Sequence, residues 1–481
     1  MNTPRVLVIG CGSVAQVAVP LLLDNLPLDP RRVTVLAADD ARERIAGCLE
    51  RGVTYEVGRI DPDNLAETLA AHVGPGDLVV DLAWNIDTAT IVGWCHDHGV
   101  LYVNTSVEVW DPYEGGPSRH PAERTLYTRH LRLRRMADGW DRRGPTTLVE
   151  HGANPGLVSH FTKQALTEIA TEVLRRGTHS ERAATLEDAL AAERFNVLAQ
   201  VLGVCTIHIS ERDTQVTSVP KRVDEFVNTW SVEGFYEEGI STAEMGWGTH
   251  ERTLPELAYT HAEGPRNQIC LARPGMKTWV RSWVPSGEIT GMVIRHGEAF
   301  TISDHLTVWE EGGEHAAYRP TVHYAYCPAD VAIASLHELE MRQYDLQPDQ
   351  RILTDDEIVS GHDELGVLLL GHDLNGWWTG TVLTIEESRR LAPGHNATTL
   401  QVAASLVGAV RWMLDHPEQG LVVPDQLPWD EVLSVAGPWL GTIESRPTDW
   451  NPLATRVNPF DGWDGRKFRP EDVWQFGTFL V

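Results

Sequence analysis

The chain has 481 residues, with 40 Lys and Arg against 68 Asp and Glu, which gives a formal net charge of −28. A chain of this length forms more than one domain, and its strong negative charge opposes binding to nucleic acid or to an anionic membrane surface. No apolar run approaches the roughly 18 residues that span a bilayer, and the N-terminus lacks the features of a signal peptide. The six cysteines form no CxxC pair, so we expect a reduced, cytoplasmic protein without a metal site.

The first third of the chain alternates short apolar runs with helical patterns. Such alternation predicts a Rossmann-like, doubly wound parallel sheet, and we expect this first domain to cover residues 1–155. Strands are predicted at residues 5–10, 33–37, 77–81, 100–103 and 147–150, with helices at 16–25 and 65–72.

The pattern then changes to a mixture of helices and alternating strands. We expect residues 156–395 to form an α+β domain on a mixed, largely antiparallel sheet. Residues 396–481 begin with an apolar helix at 398–415 and continue as an arm that packs back on the other domains. Helices are predicted at 158–175 and 186–200, and strands at 204–210, 278–283, 291–302, 305–309 and 321–326.

A glycine turn joins the first predicted strand to the first helix, with the spacing Gly10-x-Gly12-x-x-Ala15. Gly10 permits the tight turn, Gly12 lets the backbone approach a pyrophosphate, and the small Ala15 allows close packing of strand and helix. Ser13 and Val14 begin the helix, whose N-terminal N–H groups attract an anion. We predict a bound dinucleotide here, although a turn without a ligand would have the same glycines.

The end of the second strand predicts which dinucleotide binds. Asp39 lies 24 residues after Ala15, where a carboxylate accepts hydrogen bonds from the adenine ribose and repels a 2′-phosphate. This favours NAD. Asp40 is an alternative for the same role, and the nearby Arg42 and Arg44 leave NADP open.

Asn85 and Thr105 follow two later strands. Ligands of doubly wound sheets collect at the carboxyl ends of the strands, so both side chains are candidates for cofactor binding. Each is equally well explained as a capping or turn residue.

The second domain supplies the candidates for proton transfer. The predicted strand around residues 294–300 places His296 and Glu298 on one face, because strand side chains alternate. Their simplest interpretation is a solvated strand face, and the same holds for the other acids. Further candidates are Glu211, Glu237, Glu238 and the turn His362-Asp363-Glu364.

Trp230 adds an indole to this set of carboxylates. A flexible cation such as a protonated diamine is held by carboxylates at its ends and by an indole face over its charge. The alternative is that Trp230 packs only in a core or an interface.

The order of these motifs resembles the bacterial homospermidine synthases over most of the chain, and more distantly the saccharopine-dehydrogenase-like family. The most specific stretch is GMVIRHGEAFTISDHLTV, which begins at Gly291. The other matching stretches are the glycine turn, Asp81–Asn85, Val103–Thr105, His151–Gly156, the Trp230 region and Trp378–Gln401.

The resemblance implies that putrescine is oxidised by NAD, that ammonia leaves, and that a second putrescine forms an imine whose reduction gives homospermidine. It also implies a homodimer. Trp230 would hold cationic intermediates, and Asn154 would lie near the nicotinamide. The residues implied to bind amines or move protons are Glu211, Glu238, His296, Glu298 and Asp363, with Glu114 as the weakest match.

Two other functions remain open from the sequence. An imine reductase of the saccharopine or carboxynorspermidine type needs Arg or Lys for the substrate carboxylate. Arg295 is predicted to point away from His296, whereas Arg273, Lys277 and Arg281 are not placed. A dinucleotide sensor without catalysis is the second alternative, since a fold alone does not imply an activity.

Overall fold

The structure is a computed structural model, and it describes residues 3–177, 180–456, 460, 463 and 468–481. Part of the predicted C-terminal arm lies outside the described residues. The first 150 residues form strands β1 to β6 and helices α1 to α5, with these bounds: β1 Val6–Ile9, α1 Ser13–Asn25, β2 Val33–Ala37, α2 Ala46–Glu50, β3 Thr54–Val57, α3 Leu65–His72, β4 Leu78–Asp81, α4 Thr88–His98, β5 Leu101–Asn104, α5 Leu126–Asp138 and β6 Thr147–Leu148.

The rest of the chain forms the remaining elements. The helices are α6 Leu157–Arg176, α7 Ser180–Ala191, α8 Phe195–Leu202, α9 Val232–Ile240, α10 Glu298–His305, α11 Asp330–Met341, α12 Ile385–Leu391, α13 Ala397–Asp415, α14 Trp429–Ala436 and α15 Phe476–Phe479. The strands are β7 Thr206–Asp213, β8 Val216–Thr217, β9 Glu225–Asn228, β10 Thr242–Gly246, β11 Ala258–Thr260, β12 Gln268–Pro274, β13 Trp279–Val284, β14 Gly287–Met292, β15 Val308–Trp309, β16 Ala316–Tyr318, β17 Thr321–Cys327, β18 Asp349–Ile352, β19 Ile358–Ser360, β20 His362–His372, β21 Asn375–Thr384, β22 Leu421–Val422 and β23 Thr442–Thr448.

The first domain contains a seven-stranded parallel sheet in the order β22-β6-β5-β4-β1-β2-β3. Successive residues of its strands point to opposite faces, so Val6 and Val8 pack with α1 and α13 while Leu7 and Ile9 pack with α3 and α4. The predicted doubly wound parallel sheet is confirmed. The strand order reverses between β1 and β4, which is where such sheets bind ligands.

The second domain is built on a ten-stranded sheet in which β17 and β7 run parallel and the other neighbours run antiparallel. One face packs against α6 and α8 through residues such as Ile207 and Val367. The other face is covered by Phe476 and Phe479 of the C-terminal α15. The predicted mixed, largely antiparallel sheet is confirmed.

The chain returns to the first domain after the second. Helix α13 packs on α1, and β22 pairs with β6 at the edge of the parallel sheet. By length and composition α13 is apolar enough to cross a membrane, but 83% of the tested stretch is buried inside the protein. This burial identifies α13 as a core helix.

Two local predictions that concern candidate residues are wrong. The strand predicted across residues 294–300 is absent, because β14 ends at Met292 and Glu298 begins α10. The predicted turn at His362–Glu364 is the start of β20. In both places the apolar residues show no clear period. The local sequence therefore does not determine the secondary structure, and tertiary packing does.

Candidate active site

A cavity of about 870 Å³ runs between the two domains, within the usual size of a small-molecule site. It begins at the glycine turn of the first domain and reaches Trp230 and Glu211 of the second domain. The predicted residues that line it are Gly10, Gly12, Ser13, Val14, Asp39, Asn85, Thr105, Asn154, Glu211, Trp230, Glu238 and His296.

The glycine turn has the geometry that a dinucleotide requires. Gly10 has a φ of +94°, and a Cβ there would lie 2.8 Å from the carbonyl oxygen of Leu82, so only glycine fits without strain. A Cβ on Gly12 would meet no atom within 4 Å, which leaves open space beside the backbone. Gly12 precedes α1, whose N-terminus has no capping side chain, so its N–H groups can bind an anion.

The two candidate aspartates after β2 differ in their partners. Asp40 lies 3.6 Å from Arg42 and accepts from its backbone N–H. Asp39 is exposed in the cavity, and within the described part of the chain its carboxylate has no hydrogen-bond or ion-pair partner. Its carboxylate is therefore the one available to the ribose.

Asn85 and Thr105 lie on the β4 and β5 side of the reversal in strand order. Asn85 has a φ of +59°, and its Oδ1 is buried without a partner among the described residues. A buried polar atom without a partner needs a ligand or water to satisfy it. The position fits the nicotinamide half of a dinucleotide.

Glu211 is a buried carboxylate at the inner end of the cavity. Its Oε2 accepts from Asn154 Nδ2 at 2.7 Å and from the Tyr324 hydroxyl, and the residue is 3% exposed. Burial raises the pKa of Glu211 above its ordinary value, although the hydrogen bond from Tyr324 opposes the shift. A cation bound beside Glu211 would favour its ionised form.

Two more carboxylates lie behind Glu211. Asp213 on β7 is paired across the sheet with Asp363 on β20, and both are fully buried. Asp363 accepts from Thr398 Oγ1 at 2.6 Å, and Thr398 lines the cavity. Burial, followed by the charges of Glu211 and Asp213, raises the pKa of Asp363 well above its ordinary value. This end of the cavity is therefore a buried acidic region that a positive charge would stabilise.

Trp230 lines the cavity beside these acids. Its Nε1 donates to the Tyr326 hydroxyl at 3.2 Å, and Tyr326 stacks on Tyr324 with ring centroids 5.1 Å apart. A Cβ on Gly234 would lie 2.7 Å from the indole ring, so the glycine makes room for it. The hydrogen bond and this close packing fix the orientation of the indole.

His296 lies between two carboxylates. Its Nε2 is 3.3 Å from Glu238 and its Nδ1 is 3.3 Å from Glu298, yet neither contact has the direction of a hydrogen bond. Burial lowers the pKa of His296, but the charges of Glu298 and Glu238 outweigh it and hold the pKa well above the ordinary value. The imidazole is thus placed to hold a proton beside the cavity.

Six of the predicted carboxylate and histidine residues do not line the cavity: Glu114, Glu237, Glu298, His362, Asp363 and Glu364. Glu298 is fully buried behind His296, at the start of α10 rather than on a shared strand face. Asp363 reaches the cavity only through Thr398. Glu114 lies on an exposed turn and is not among the lining residues.

Arg295 corrects another prediction. It lines the cavity together with His296, because the segment after β14 is not a strand and its side chains do not alternate. Arg295 and Arg129 both donate to Glu237 Oε1, the latter at 2.8 Å. Arg129 comes from α5 and Glu237 from α9, so this ion-pair cluster joins the two domains.

Sequence reasoning missed several lining residues, among them Tyr324, Arg129 and Glu150. Tyr324 and Tyr326 alternate on a strand that was predicted, so their period of two was a usable signal. Glu150 ends the predicted strand that leads into the His151–Gly156 stretch. Arg129 lies on a helix far from the second domain in sequence, and nothing local indicates its partner.

Two family models cover most of the chain. The saccharopine dehydrogenase NADP binding domain matches residues 6–148, and the saccharopine dehydrogenase C-terminal domain matches residues 152–449. The second match alone spans more than half of the chain.

Full-length relatives give a more specific result. The chain is 40% identical to a homospermidine synthase of Blastochloris viridis, over 99% of this chain and 97% of the relative. It is 38% identical to a homospermidine synthase of Mesorhizobium japonicum, over 100% and 96% of the two chains. The crystal structure of homospermidine synthase from Legionella pneumophila in complex with NAD matches with a TM-score of 0.87 at 36% identity, over 100% of this chain and 98% of that one. The chain therefore belongs to the saccharopine dehydrogenase family and, within it, to the homospermidine synthases.

Proposed function

We propose that this enzyme condenses two putrescine molecules to homospermidine and releases ammonia. The first diamine is oxidised to an imine, the second displaces ammonia, and the secondary imine is reduced. The observation that carries this proposal is the single cavity that joins a dinucleotide turn to a buried acidic end. The 40% identity to a homospermidine synthase supports the same reaction.

The first-domain end of the cavity fits NAD. The N-terminus of α1 would bind the pyrophosphate, Asp39 the adenine ribose, and Asn85 and Thr105 the nicotinamide half. The fit rests on the open space beside Gly12 and the unpartnered Oδ1 of Asn85. Bound NAD would supply the hydride acceptor and then the hydride donor, so no net cofactor is consumed.

The second-domain end fits a diamine. Glu211, with Asp213 and Asp363 behind it, would attract the distal ammonium group, and the Trp230 face would lie against the cation. Cation–π attraction reaches about 2 kcal/mol when the pair is desolvated. A putrescine bound this way has its other amine directed toward the nucleotide end.

His296 and its two carboxylates are placed to move protons during the exchange of amines. The transimination needs a proton on the departing ammonia, and the imidazolium beside Glu238 can donate it. Glu298 keeps the positive charge on the ring because it is buried 3.3 Å from Nδ1. The three groups therefore act as one unit.

Water exclusion completes the proposal. An imine hydrolyses in water, and the buried lining of Glu211, His296 and Tyr324 keeps solvent from the inner end. We further propose that the enzyme is a cytoplasmic homodimer.

An imine reductase acting on an amino acid is the second candidate, because Arg129 and Arg295 lie at the cavity. Both arginines donate to Glu237, so their charge is balanced within the protein, although Nε of Arg295 has no partner among the described residues. This pairing favours a diamine over an amino acid.

Incubation with putrescine and a substoichiometric amount of NAD tests the proposal. Homospermidine should accumulate in excess of the NAD supplied, as measured by product mass, together with one ammonia for each product. NADH formed in proportion to the putrescine consumed, or reduction of an amino acid imine in preference to diamine condensation, would contradict it.

A further inference from the structure

A carboxylate and an imidazole that the proposed roles leave unused meet at the nucleotide end of the cavity. His130 on α5 and Glu150 after β6 are each 2% exposed, and His130 Nε2 lies 2.7 Å from Glu150 Oε2. With the carboxylate ionised, the ring nitrogen donates and the carboxylate accepts. Glu150 itself lines the cavity.

The backbone holds Glu150 in an unusual conformation. Its φ is +61°, which costs energy for a residue other than glycine. Its N–H donates to Asn104 Oδ1 at 2.8 Å, which fixes the conformation. Strain of this kind at a cavity wall suggests that the direction of the carboxylate matters for function.

The second domain leaves space for this carboxylate. A Cβ on Gly297 would lie 1.6 Å from Glu150 Oε2, so a larger residue would displace the carboxylate. Gly297 separates His296 from Glu298. Glu150 therefore approaches the second domain at the point where the two proposed proton-transfer residues meet.

The location relative to the sheet indicates which substrate atom is near. Glu150 follows β6 and contacts the end of β5, in the half of the sheet that holds the nicotinamide of a dinucleotide. The carbon that loses hydride must lie against the nicotinamide ring. The nitrogen bonded to that carbon is then within reach of this wall.

The charged groups around Glu150 come from three elements. His130 and Arg129 lie on α5, Arg295 and His296 follow β14, and Glu108 follows β5. Arg129 and Arg295 are engaged by Glu237. Among the described residues, Glu150 forms its ion pair with His130, and Arg295 acts on it through its charge alone.

We propose that Glu150, oriented by His130, takes the proton from the ammonium group of the first putrescine before the hydride leaves. This role rests on the proposed function. The N–H bond breaks and an O–H bond forms on Glu150, which leaves a neutral amine. The lone pair of that amine forms the C=N bond as the neighbouring carbon gives its hydride to NAD, and Glu150 returns the proton after the final reduction.

The step is needed because an alkylammonium has no lone pair to expel hydride. A primary amine of the lysine type has a pKa of about 10.4 and is protonated at neutral pH. A positioned base of this kind is worth about 10²–10⁴ in rate.

Glu150→Gln removes the base and keeps the shape. We expect kcat for homospermidine formation to fall about a hundredfold at pH 8. The defect should then shrink about tenfold for each pH unit toward pH 10, because the free amine replaces the missing base. The NAD dissociation constant, measured by fluorescence, should not change. A Glu150→Gln enzyme whose pH profile runs parallel to the wild type would overturn the proposal.

Glu244→Gln is the matched control, because Glu244 is a buried carboxylate at the domain interface that does not line the cavity. Its pH profile should keep the wild-type shape. Glu150→Asp keeps a carboxylate and should show no rescue at high pH. Loss of NAD binding in both Glu150 variants would assign the residue to cofactor binding or to folding and would also overturn the proposal. Wild-type enzyme that makes no homospermidine would instead contradict the proposed function.

Discussion

Two groups of buried carboxylates lie at the wall of the same cavity or directly behind it, and they differ in what balances their charge. Glu237 accepts from both Arg129 and Arg295 and joins the two domains. Glu211, Asp213 and Asp363 accept from hydroxyl and amide groups, and among the described residues none of the three carboxylates accepts from a lysine or an arginine. A carboxylate paired within the protein supports the structure, whereas one without a counter-ion is available to a cationic substrate.

The largest effect on catalysis should come from removing a charge from the group without arginine partners, which consists of Glu211, Asp213 and Asp363. Glu211→Gln should lower kcat/KM for putrescine about thirtyfold or more, because a hydrogen-bonded buried charge pair is worth about 2–5 kcal/mol. Steady-state kinetics would measure this loss. Unchanged kinetics would remove Glu211 from the substrate site.

The same variant should not lose stability. Burial raises the pKa of Glu211 in the folded state. The folded protein therefore ionises Glu211 less readily than the unfolded chain does, and the free energy of unfolding decreases as pH rises above the ordinary glutamate pKa. Glu211→Gln removes that cost. Glu386→Gln, an exposed acid in the first turn of α12, is the control for both measurements.

Removing a charge from the group that contains Glu237 and its two arginines should have the opposite effect on stability. Arg129→Gln leaves Glu237 without one of its two arginines, and breaking a buried ion pair costs about 3–5 kcal/mol. We expect the free energy of unfolding, measured in urea, to decrease by up to that amount. A variant as stable as the wild type would show that the cluster does not hold the domains together.

Variants of Trp230 test whether an aromatic face helps Glu211 and the two aspartates behind it to hold a cation. Trp230→Phe keeps a weaker face and should retain part of the activity, whereas Trp230→Leu should lose about tenfold or more. Tyr326→Phe removes the hydroxyl that accepts from the indole. This variant therefore tests the orientation of the Trp230 ring while its aromatic face is kept. Equal activity of the Phe and Leu variants would assign Trp230 to packing.

Asp39 extends the comparison to the nucleotide end, where its carboxylate has no partner among the described residues and that of Asp40 is paired with Arg42. Asp39→Ala should weaken NAD binding and reduce the preference over NADP, as titrations with both cofactors would show. Asp40→Ala should change the preference less. The reverse order would move the ribose contact to Asp40.

The sequence predicted the parts of this molecule that local patterns determine. Alternating β and α elements predicted the parallel sheet, and the spacing of Gly10, Gly12 and Ala15 predicted the glycine turn, whose geometry fits a dinucleotide. The side chains of His296 and Glu298 were placed on a strand that does not exist, because the helix at Glu298 depends on tertiary packing. The partners of Glu237 come from residues about 58 and 108 positions away, and no single-sequence pattern indicates such pairs.

The central claim is that hydride taken from the first diamine returns to the product of the second. Putrescine deuterated at both amine-bearing carbons, incubated with catalytic unlabelled NAD, tests this directly by mass spectrometry. The account predicts homospermidine that keeps all of its deuterium, with no accumulation of NADH. Loss of one deuterium from each product to a free NADH pool would contradict it.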